Sequence, residues 1–600
     1  MKLAEYVADF IAKLGVGQVF GVTGGGAMHL NDAMGGHPDL EFVVTHQEQS
    51  AAMAAEAHAR MTGRIGVCHV TTGPGGTNAI TGVAGAWIDS IPMLVVSGQV
   101  TTGTMIAGAQ LRQLGVQEID IIPMVRPITK YAVTVTEPGM IRHHLEKAVH
   151  LATTGRPGPV WIDLPLDITN ERIDPASLPG YTPERSPVRP AAHFERRLAE
   201  CVRMLGEAKR PVLIAGNGIR LAGAVAEFVA IVERLRIPVI TSWNASDLID
   251  SGHPCHAGRA GLFGDRAGNF TVQNADLLLI VGSRMSIPQT GHNTAQFAPH
   301  ARQIVVDVDE NELMKPTLRP DVAMAADAKV FLTALLARGD AIGRDKGVDG
   351  WLETVADWRR RYPVVLDEYR TLPSQVNSFH FIDRLADRLP SDAVVVTDMG
   401  TSFTCTMQTF AIKKGQRLFT SSGLASMGFG LPGAIGACYA AGRRQVICVS
   451  GDGGLMFNVQ ELQTLAHNKL PVVLFVLANR GYLTMKLMQH NHFGRFVGSE
   501  PSSGVSCPDF VELAKAFGIP GLHIRSNRDL EEHLDAILAS DGPMVCEIEM
   551  PEMQPLIPRV QTMKGPDGRL LPTPMEDMYP FLDRAELRAN MVAARAAETE

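Results

Sequence analysis

Two strand-like stretches of the sequence end in polar residues that could hold a divalent metal ion. Residues 446–454 (VICVSGDGG) read as a buried strand that ends near Asp452, and residues 471–481 (PVVLFVLANRG) read as another that ends near Asn479. Turns after neighbouring parallel strands meet at one edge of a sheet, where ligands bind. A carboxylate, an amide oxygen and the backbone carbonyl of Gly481 would give Mg²⁺ part of the oxygen shell that it needs.

Glycines beside the aspartate, namely Gly451, Gly453 and Gly454, would let a phosphate group approach the backbone. A pair of ordinary βα turns is the alternative, since a GDG triplet alone is a weak signal. The 25 residues (454–478) between GDG and the asparagine, with both motifs after strands, favour a joint metal and diphosphate site. We expect Asn458 to cap the helix that follows.

Glu48 stands at the head of an alanine-rich stretch, THQEQSAAMAAEAHAR. At helical spacing it shares one face with Ala52, Ala55 and Ala59. One interpretation is a helix-end carboxylate stabilised by the helix dipole. The other is a carboxyl group kept partly dry so that it can share a proton with a ligand.

The composition of the chain excludes several classes of function. The chain has 600 residues, a formal charge of -8 and 45% hydrophobic residues, so it is expected to form three or four globular domains and not to bind nucleic acid. The eight cysteines form no CxxC pair, which gives no signal for zinc or disulfides. The N-terminus does not read as a signal peptide and no apolar run reaches membrane-spanning length. A cytoplasmic enzyme without a membrane partner is the expectation.

Short hydrophobic strands alternate with helical patterns along most of the chain, which is typical of parallel sheets. We predict an α/β fold with three doubly wound parallel-sheet domains and a C-terminal arm. The domains are expected at residues 1–170, 190–340 and 372–555, with a tail at 556–600. A stretch rich in proline and charge (167–192) is the expected linker after the first domain, and a charged helical segment (340–372) precedes the third.

At this point the sequence resembles the thiamine-diphosphate (ThDP) enzymes of the decarboxylase and carboligase superfamily. The resemblance covers about residues 1–560 and rests on the GDG–N motif together with HQEQSAA, TTGPGGTNAITGVAGAWIDSIPMLVVSGQV, QEIDIIPMVRPITKYA and SSGLASMGFGLPGAIGA. Within the superfamily these stretches look most like acetolactate synthase catalytic subunits. The resemblance implies that the first domain binds the pyrimidine of ThDP and that the third binds its diphosphate and Mg²⁺.

The resemblance also implies a role for Glu48. Its carboxyl would bond N1′ of the aminopyrimidine, where a shared proton favours the imino tautomer that activates the cofactor. Glu48 and Asp452 lie in different predicted domains, and in the family these domains meet across the cofactor from two subunits. A homodimer or homotetramer, with Glu48 acting on the partner's cofactor, is therefore implied.

The resemblance also implies roles for several other individual residues. Gln117 would reach the substrate, although a capping or surface glutamine is the alternative, and Met427 would prop the cofactor into its bent shape, although a core methionine is the alternative. Ala425 would offer its carbonyl to the 4′-amino group. Further residues would shape the pyrimidine pocket or border the site: Thr72, Gly73, Pro74, Asn78, Tyr482, Met485 and Lys486. For Lys486, a solvated charge is the alternative.

The chain departs from its relatives in two ways. Gly25 stands where pyruvate-decarboxylase-like members carry an acid, and residues 100–120 contain no His-His pair, so capture of a second carbonyl compound is favoured over release of an aldehyde. At acceptor-side positions Val116 and Met488 replace aromatic residues of the biosynthetic acetolactate synthases, and Thr401-Ser402 replaces their Gln-His pair.

The leading hypothesis is a carboligase that decarboxylates pyruvate and transfers the acetyl unit to a second carbonyl compound. A keto-sugar or small ketone is the alternative acceptor, and a simple 2-oxoacid decarboxylase, an FAD-using oxidase and a non-catalytic relative are the other hypotheses. FAD is a further expected cofactor of the middle domain, with empty structural loops as the alternative. Its segments match the family's flavin-lining turns in part: Gly216-Asn217-Gly218, Gly282-Ser283-Arg284 and Asp307.

Overall fold

Three all-parallel sheets organise the chain, as predicted from the alternation of strands and helices. The computed structural model describes residues 1–106, 108–184, 191–343, 347–564 and 570–593. The sheets have six, five and six strands, in the orders β2-β1-β3-β4-β6-β5, β11-β10-β9-β7-β8 and β13-β12-β14-β15-β17-β16. None of the helices in the described part of the chain combines the length and apolar character that a membrane crossing needs.

The N-terminal sheet is built from six short strands: β1 (Gln18–Gly21), β2 (Glu41–Val44), β3 (Gly66–Val70), β4 (Met93–Gln99), β5 (Tyr131–Thr134) and β6 (Pro159–Pro165). Its helices are α1 (Leu3–Lys13), α2 (Met28–Gly35), α3 (Glu48–Thr62), α4 (Pro74–Ile88), α5 (Ile121–Val125), α6 (Ile141–Thr153) and α7 (Leu166–Asn170). All residues of β3, β4 and β6 are buried, as expected for the central strands of a parallel sheet.

The middle sheet is formed by β7 (Pro211–Ala215), β8 (Val239–Thr241), β9 (Leu277–Val281), β10 (Arg302–Asp307) and β11 (Val322–Ala325). Its helices are α8 (Ala191–Glu207), α9 (Gly218–Leu221), α10 (Val225–Leu235), α11 (Arg266–Gln273), α12 (Ile287–Thr290), α13 (Glu310–Met314) and α14 (Ala328–Leu336). Two further helices, α15 (Gly347–Arg361) and α16 (Asp367–Arg370), follow in the segment that was expected to be helical.

The C-terminal sheet contains β12 (Val394–Thr397), β13 (Arg417–Phe419), β14 (Val446–Gly451), β15 (Val472–Ala478), β16 (Gly521–Ile524) and β17 (Met544–Glu549). Its helices are α17 (Ser378–Arg388), α18 (Thr401–Thr409), α19 (Gly430–Ala440), α20 (Asp452–Leu455), α21 (Leu462–Asn468), α22 (Leu483–Phe493), α23 (Phe510–Ala516) and α24 (Asn527–Leu538). The tail forms an antiparallel pair, β18 (Thr562–Lys564) and β19 (Leu570–Pro572), and the helix α25 (Arg584–Asn590).

The expected linker at 167–192 is more ordered at its start than its composition suggests. Residues 166–170 form α7, and the backbone of Ile173 donates to Met1, which ties this segment to the first helix. Its residues 185–190 lie outside the described part of the chain, as do 344–346 of the charged segment and 565–569 and 594–600 of the tail.

The N-terminal and C-terminal sheets share one hydrophobic core, in which helix α3 packs against α19. Small residues permit this contact, because the alanines of α3 present little bulk to the glycines and alanines of α19. A Cβ atom at Gly436 would lie 2.0 Å from the backbone oxygen of Ala54, so only glycine fits at this crossing. The predicted alanine face lies elsewhere on α3: a Cβ atom at Gly82 of α4 would lie 2.5 Å from the Cβ atom of Ala52.

Candidate active site

Asp452 is fixed by backbone donors at the carboxyl ends of β14 and β15. One carboxylate oxygen accepts from the N–H groups of Asn479 (2.9 Å) and Gly481 (3.1 Å), and the other accepts from Gly453 (2.7 Å). Burial raises the pKa of Asp452, while these N–H donors oppose that shift. A carboxylate has about four lone-pair sites, so three accepted bonds leave room for a further partner.

The amide oxygen of Asn479 is the one atom of this cluster that lacks a hydrogen-bond partner among the described residues. Asn479 is 2% exposed, and its Oδ1 atom has no hydrogen-bond partner. Buried polar atoms are nearly always paired, so an orphaned oxygen beside a buried carboxylate fits a divalent cation. The structure thus brings Asp452, Asn479 and Gly481 together as the sequence predicted.

Lys486 and Tyr482 support this corner from α22 and the turn before it. Lys486 is 2% exposed and donates from Nζ to the backbone oxygen of Asn479 at 2.7 Å, so the solvated-charge interpretation is wrong. Burial lowers the pKa of this lysine. The Tyr482 ring lies against Gly453, where a Cβ atom would be 2.4 Å from the ring. Gly451 and Gly454 are buried beside them.

Asp398, which sequence reasoning missed, connects the metal corner to the expected cofactor-facing segment. Its carboxylate accepts from Ser450 Oγ (2.7 Å) and from the N–H of Gly428 (3.0 Å). Ala425 has a left-handed backbone (φ 60°) and Met427 is half-buried, so this segment presents a turn and not a continuous helix. The carboxyl group directly follows β12, which is the signal that could have identified it.

Asn458 does not cap a helix with its side chain, contrary to the prediction. Its Nδ2 donates to the backbone oxygen of Gly428 (2.8 Å), and its Oδ1 accepts from Ser50 Oγ (3.1 Å). Asn458 does occupy the position before a short 3₁₀ helix, Val459–Glu461, but its side chain makes no capping bond there. Asn458 therefore bridges the C-terminal site to α3.

Glu48 is the first residue of α3 and faces α4. Its Oε2 atom accepts from Asn78 Nδ2 at 3.0 Å, and the side chain is nearly buried. The N-cap role belongs to Gln47, whose side chain accepts from the backbone of Gln49. Because another residue caps the helix, the carboxyl group of Glu48 is available for a ligand.

The remaining N-terminal residues surround Glu48 at the start of α4. Thr72 is buried, whereas Pro74 and Asn78 are exposed. Gly73 touches the backbone of Gln117 so closely that a Cβ atom would lie 2.2 Å from the Gln117 oxygen. Gln117 itself is exposed with a left-handed backbone (φ 62°), so it stands at the surface beside the expected pyrimidine pocket.

Glu118 holds the loop that carries Gln117, another role that the sequence did not indicate. Its buried carboxylate accepts from the backbone N–H groups of Leu114 (2.9 Å), Gly115 (2.9 Å) and Ile106. These donors lower the pKa of Glu118 although its burial opposes them. Gln117 therefore projects from a fixed turn.

Within one chain, polar contacts link both ends of α4 to segments that carry predicted site residues. Glu48 contacts Asn78 near the start of this helix. Ser422, which precedes Ala425, is tied through Asn244 to Asp89 at the end of the helix, with bonds of 2.9 and 3.2 Å. Asn78 and Asp89 are eleven positions apart, or about 16 Å at the usual helical rise.

Most of the positions at which the sequence departs from the resembled family are exposed to solvent. Gly25 is exposed, and a Cβ atom there would meet nothing within 4 Å. Val116 and Met488 are 86% and 44% exposed, whereas Thr401 and Ser402 are buried at the start of α18.

A large cavity of about 410 Å³ lies beside the middle sheet, where the expected flavin turns meet. Gly216 is pressed against Gly282, since a Cβ atom would lie 2.0 Å from the Gly282 oxygen. The wall includes both predicted turns and the end of β10, with Asn217, Gly218, Gly282, Ser283, Arg284 and Asp307. Burial raises the pKa of Asp307.

Comparisons with known proteins agree with this arrangement. The family models described as "Thiamine pyrophosphate enzyme" match as an N-terminal TPP binding domain (residues 1–124), a central domain (198–335) and a C-terminal TPP binding domain (398–548). The chain is 34% identical to a probable acetolactate synthase large subunit of Methanocaldococcus jannaschii over 95% of this chain and 94% of that one. It is 34% identical to the acetolactate synthase isozyme 2 large subunit of Escherichia coli (93% and 98% covered) and 32% identical to the chloroplastic acetolactate synthase 2 of Zea mays (93% and 87% covered).

The orphaned amide oxygen yields a testable expectation. Asn479→Ala removes that oxygen while keeping the backbone bonds to Asp452 and Lys486. We expect the Mg²⁺ concentration needed for half of the ThDP-induced rise in melting temperature to increase about tenfold or more. Asn491→Ala, an exposed position on α22, is the matched control. An unchanged Mg²⁺ requirement in Asn479→Ala would remove this residue from the metal site.

Proposed function

The chain belongs to the thiamine pyrophosphate enzyme family, and we propose that it decarboxylates pyruvate and transfers the acetyl unit to a second carbonyl compound. Its relatives and its three family domains make it a ThDP-dependent, acetolactate-synthase-like carboligase. The observation that carries the proposed chemistry is the carboxyl group of Glu48 at the head of α3, which accepts a hydrogen bond from Asn78 and does not cap the helix. We propose domain boundaries at 1–170, 190–340 and 372–555, with a tail at 556–600.

Mg²⁺ and the diphosphate are assigned to the C-terminal corner. Asp452, Asn479 and the Gly481 carbonyl would ligate the ion, and the orphaned Oδ1 of Asn479 supports this assignment. Gly451, Gly453, Gly454 and Tyr482 would line the diphosphate. When bound, ThDP supplies the carbon nucleophile and the electron sink for decarboxylation.

The pyrimidine end is assigned to the N-terminal domain. Glu48 would hold a proton against the ring nitrogen, and Thr72, Gly73, Pro74 and Asn78 would shape the pocket around it. Ala425 would accept from the amino group with its carbonyl, and Met427 would support the bent cofactor. Gln117, fixed by Glu118, would orient the substrate.

Two chains would complete each site. The family resemblance implies this arrangement, with Glu48 of one chain facing the C-terminal domain of the other in a homodimer or homotetramer. Exposed apolar residues beside these positions, including Val44, Leu424, Met456 and Phe457, support a covered surface here.

Capture of a second carbonyl is favoured over aldehyde release. Decarboxylases of the resembled type need an acid where this chain has Gly25, and no other part of the described chain comes within 4 Å of a Cβ placed there. The acceptor is either a second 2-oxoacid or a keto-sugar or ketone. Val116 and Met488, at the proposed acceptor side, are exposed and leave room for either class of acceptor. Simple 2-oxoacid decarboxylation is the remaining alternative.

FAD is proposed for the cavity at the middle sheet. The two closely packed glycine turns and the largely buried Asp307 at the end of β10 suit a nucleotide. A carboxylate at this position can accept hydrogen bonds from the ribose hydroxyls. The cavity opens between the sheets, and Asn244 and Ser422 line it. The flavin would bind there without taking part in net redox turnover.

Glu48→Gln tests the proton-sharing role. The amide keeps the size of the side chain but does not hold a proton in the same way, so we expect kcat to fall about 100-fold or more while ThDP still binds. ThDP binding is measured by calorimetry and kcat by pyruvate consumption. Glu353→Gln, an exposed position on α15, is the matched control. Near-normal turnover with ThDP bound would refute the role.

Product analysis tests the reaction and its acceptor. The purified protein is incubated with ThDP, Mg²⁺ and pyruvate, and pyruvate, acetolactate and acetaldehyde are followed. We expect carboligation: acetolactate in stoichiometric yield if pyruvate is the acceptor, or slow pyruvate loss that an added ketone or keto-sugar accelerates. Acetaldehyde as the main product would show a decarboxylase, and no pyruvate loss would show that the donor is wrong.

A further inference from the structure

The turn formed by residues 420–428 is anchored at its two ends by different domains. At its end, the N–H of Gly428 donates to the carboxylate of Asp398 in the C-terminal domain at 3.0 Å. At its start, the N–H of Thr420 donates to Oδ1 of Asn244 at 3.2 Å. Asn244 lies in the 3₁₀ helix that follows β8 of the middle sheet. The position of the 420–428 turn therefore depends on the middle domain.

Asn244 also joins this turn to the N-terminal domain. Its Nδ2 donates to Ser422 Oγ at 2.9 Å and to Asp89 Oδ2 at 3.2 Å. The Asp89 carboxylate is itself fixed, because the buried Arg60 donates to the same oxygen at 2.6 Å. The opposite orientation of the Asn244 amide would place its oxygen against that carboxylate. The side chain of Asn244 is therefore held in one orientation.

The cavity of about 410 Å³ beside the middle sheet has these contacts in its wall, which includes Asp89, Asn244, Arg284 and Ser422. Ser422 is half-buried and the side chain of Arg284 is 36% exposed, so both present surface to a ligand. The Arg284 guanidinium lies 3.7 Å from Asp89, and a Cβ atom at Gly423 would lie 3.2 Å from it. A ligand in this cavity would therefore contact groups that hold the 420–428 turn.

The middle of the turn carries the carbonyl that is assigned to the pyrimidine amino group. Gly423, Leu424 and Ala425 are exposed there. Ala425 donates its N–H to the carbonyl of Ser421 at 3.1 Å and has a left-handed backbone (φ 60°), which a residue with a side chain rarely adopts. The Ala425 carbonyl thus takes its position from the fixed ends of the turn.

We propose that Asn244 is a positioning residue that couples the large cavity to the ThDP site of the same chain. A ligand in the cavity would hold Arg284 and Ser422 in place and restrict the turn to the conformation that presents the Ala425 carbonyl. This coupling rests on the proposed function, which assigns FAD and ThDP to the two sites. Ligands that favour the same conformation tighten each other's binding by the same factor.

Calorimetry of ThDP binding to the full chain measures this coupling, at saturating Mg²⁺ and with or without saturating FAD. We expect the Kd of ThDP to be about fivefold or more lower when FAD is bound, which is the lower end of common coupling between two sites. FAD binding is measured separately by the change in flavin fluorescence. Absence of FAD binding would refute the FAD assignment and the coupling together. FAD binding that leaves the Kd of ThDP unchanged would contradict the coupling alone.

Ser422→Ala tests the path of the coupling, because it removes the hydroxyl that Asn244 holds and leaves every proposed cofactor ligand in place. We expect the ratio of the two ThDP Kd values to fall about threefold or more, towards one, while FAD still binds. Asn244→Ala is the second variant, with the same expected direction. Ser374→Ala, the same change as the first variant at an exposed position before α17, is the matched control.

The ratio separates a positioning role from a general loss of structure. A general loss would weaken ThDP binding equally with and without FAD, so the ratio would keep its value in the unmodified chain. An unchanged ratio in both Ser422→Ala and Asn244→Ala would therefore contradict the proposal, even if both variants bind ThDP more weakly.

Discussion

The close packing of α3 against α19 is the contact on which the rest of the structure depends. A side chain at Gly436 would collide with the backbone of Ala54, so the two helices approach as closely as their backbones allow. The N-terminal and C-terminal sheets consequently share one core. The head of α3 is fixed as well, because the backbone of His46 donates to the carboxylate of Glu461. Glu48 therefore projects from a rigid element, as its proposed catalytic role would require.

Each sheet places some of its proposed ligand residues after the two strands between which its strand order reverses. In the N-terminal sheet the reversal lies between β1 and β3, and residues 71–74 follow β3. In the middle sheet it lies between β7 and β9, whose following turns line the larger cavity. In the C-terminal sheet it lies between β12 and β14, followed by Asp398 and Asp452. One topological rule thus accounts for three sites of different chemistry.

The sequence predicts best what local patterns determine. The central strands β4 and β6 coincide with the hydrophobic runs MLVVSGQ and PVWIDLP, because both of their faces are buried. No such run marks strands β5 and β16, since they are short and mostly half-buried. Two motifs that follow strands were enough to bring together the residues of the proposed metal site. Long-range contacts were not: Asn458 bridges two domains instead of capping a helix, and Lys486 is buried by its own site.

The central claim is that each active site combines Glu48 of one chain with Asn479 of another. The most direct test mixes Glu48→Gln and Asn479→Ala chains by co-expression and measures turnover per chain at a Mg²⁺ concentration too low to activate the Asn479→Ala protein alone. Each mixed dimer would contain one intact site and one doubly altered site, so the account predicts recovery of about a quarter of the unmodified activity, whereas each variant alone is nearly inactive. A mixture no more active than the separate variants would contradict the account, because both groups would then act within one chain.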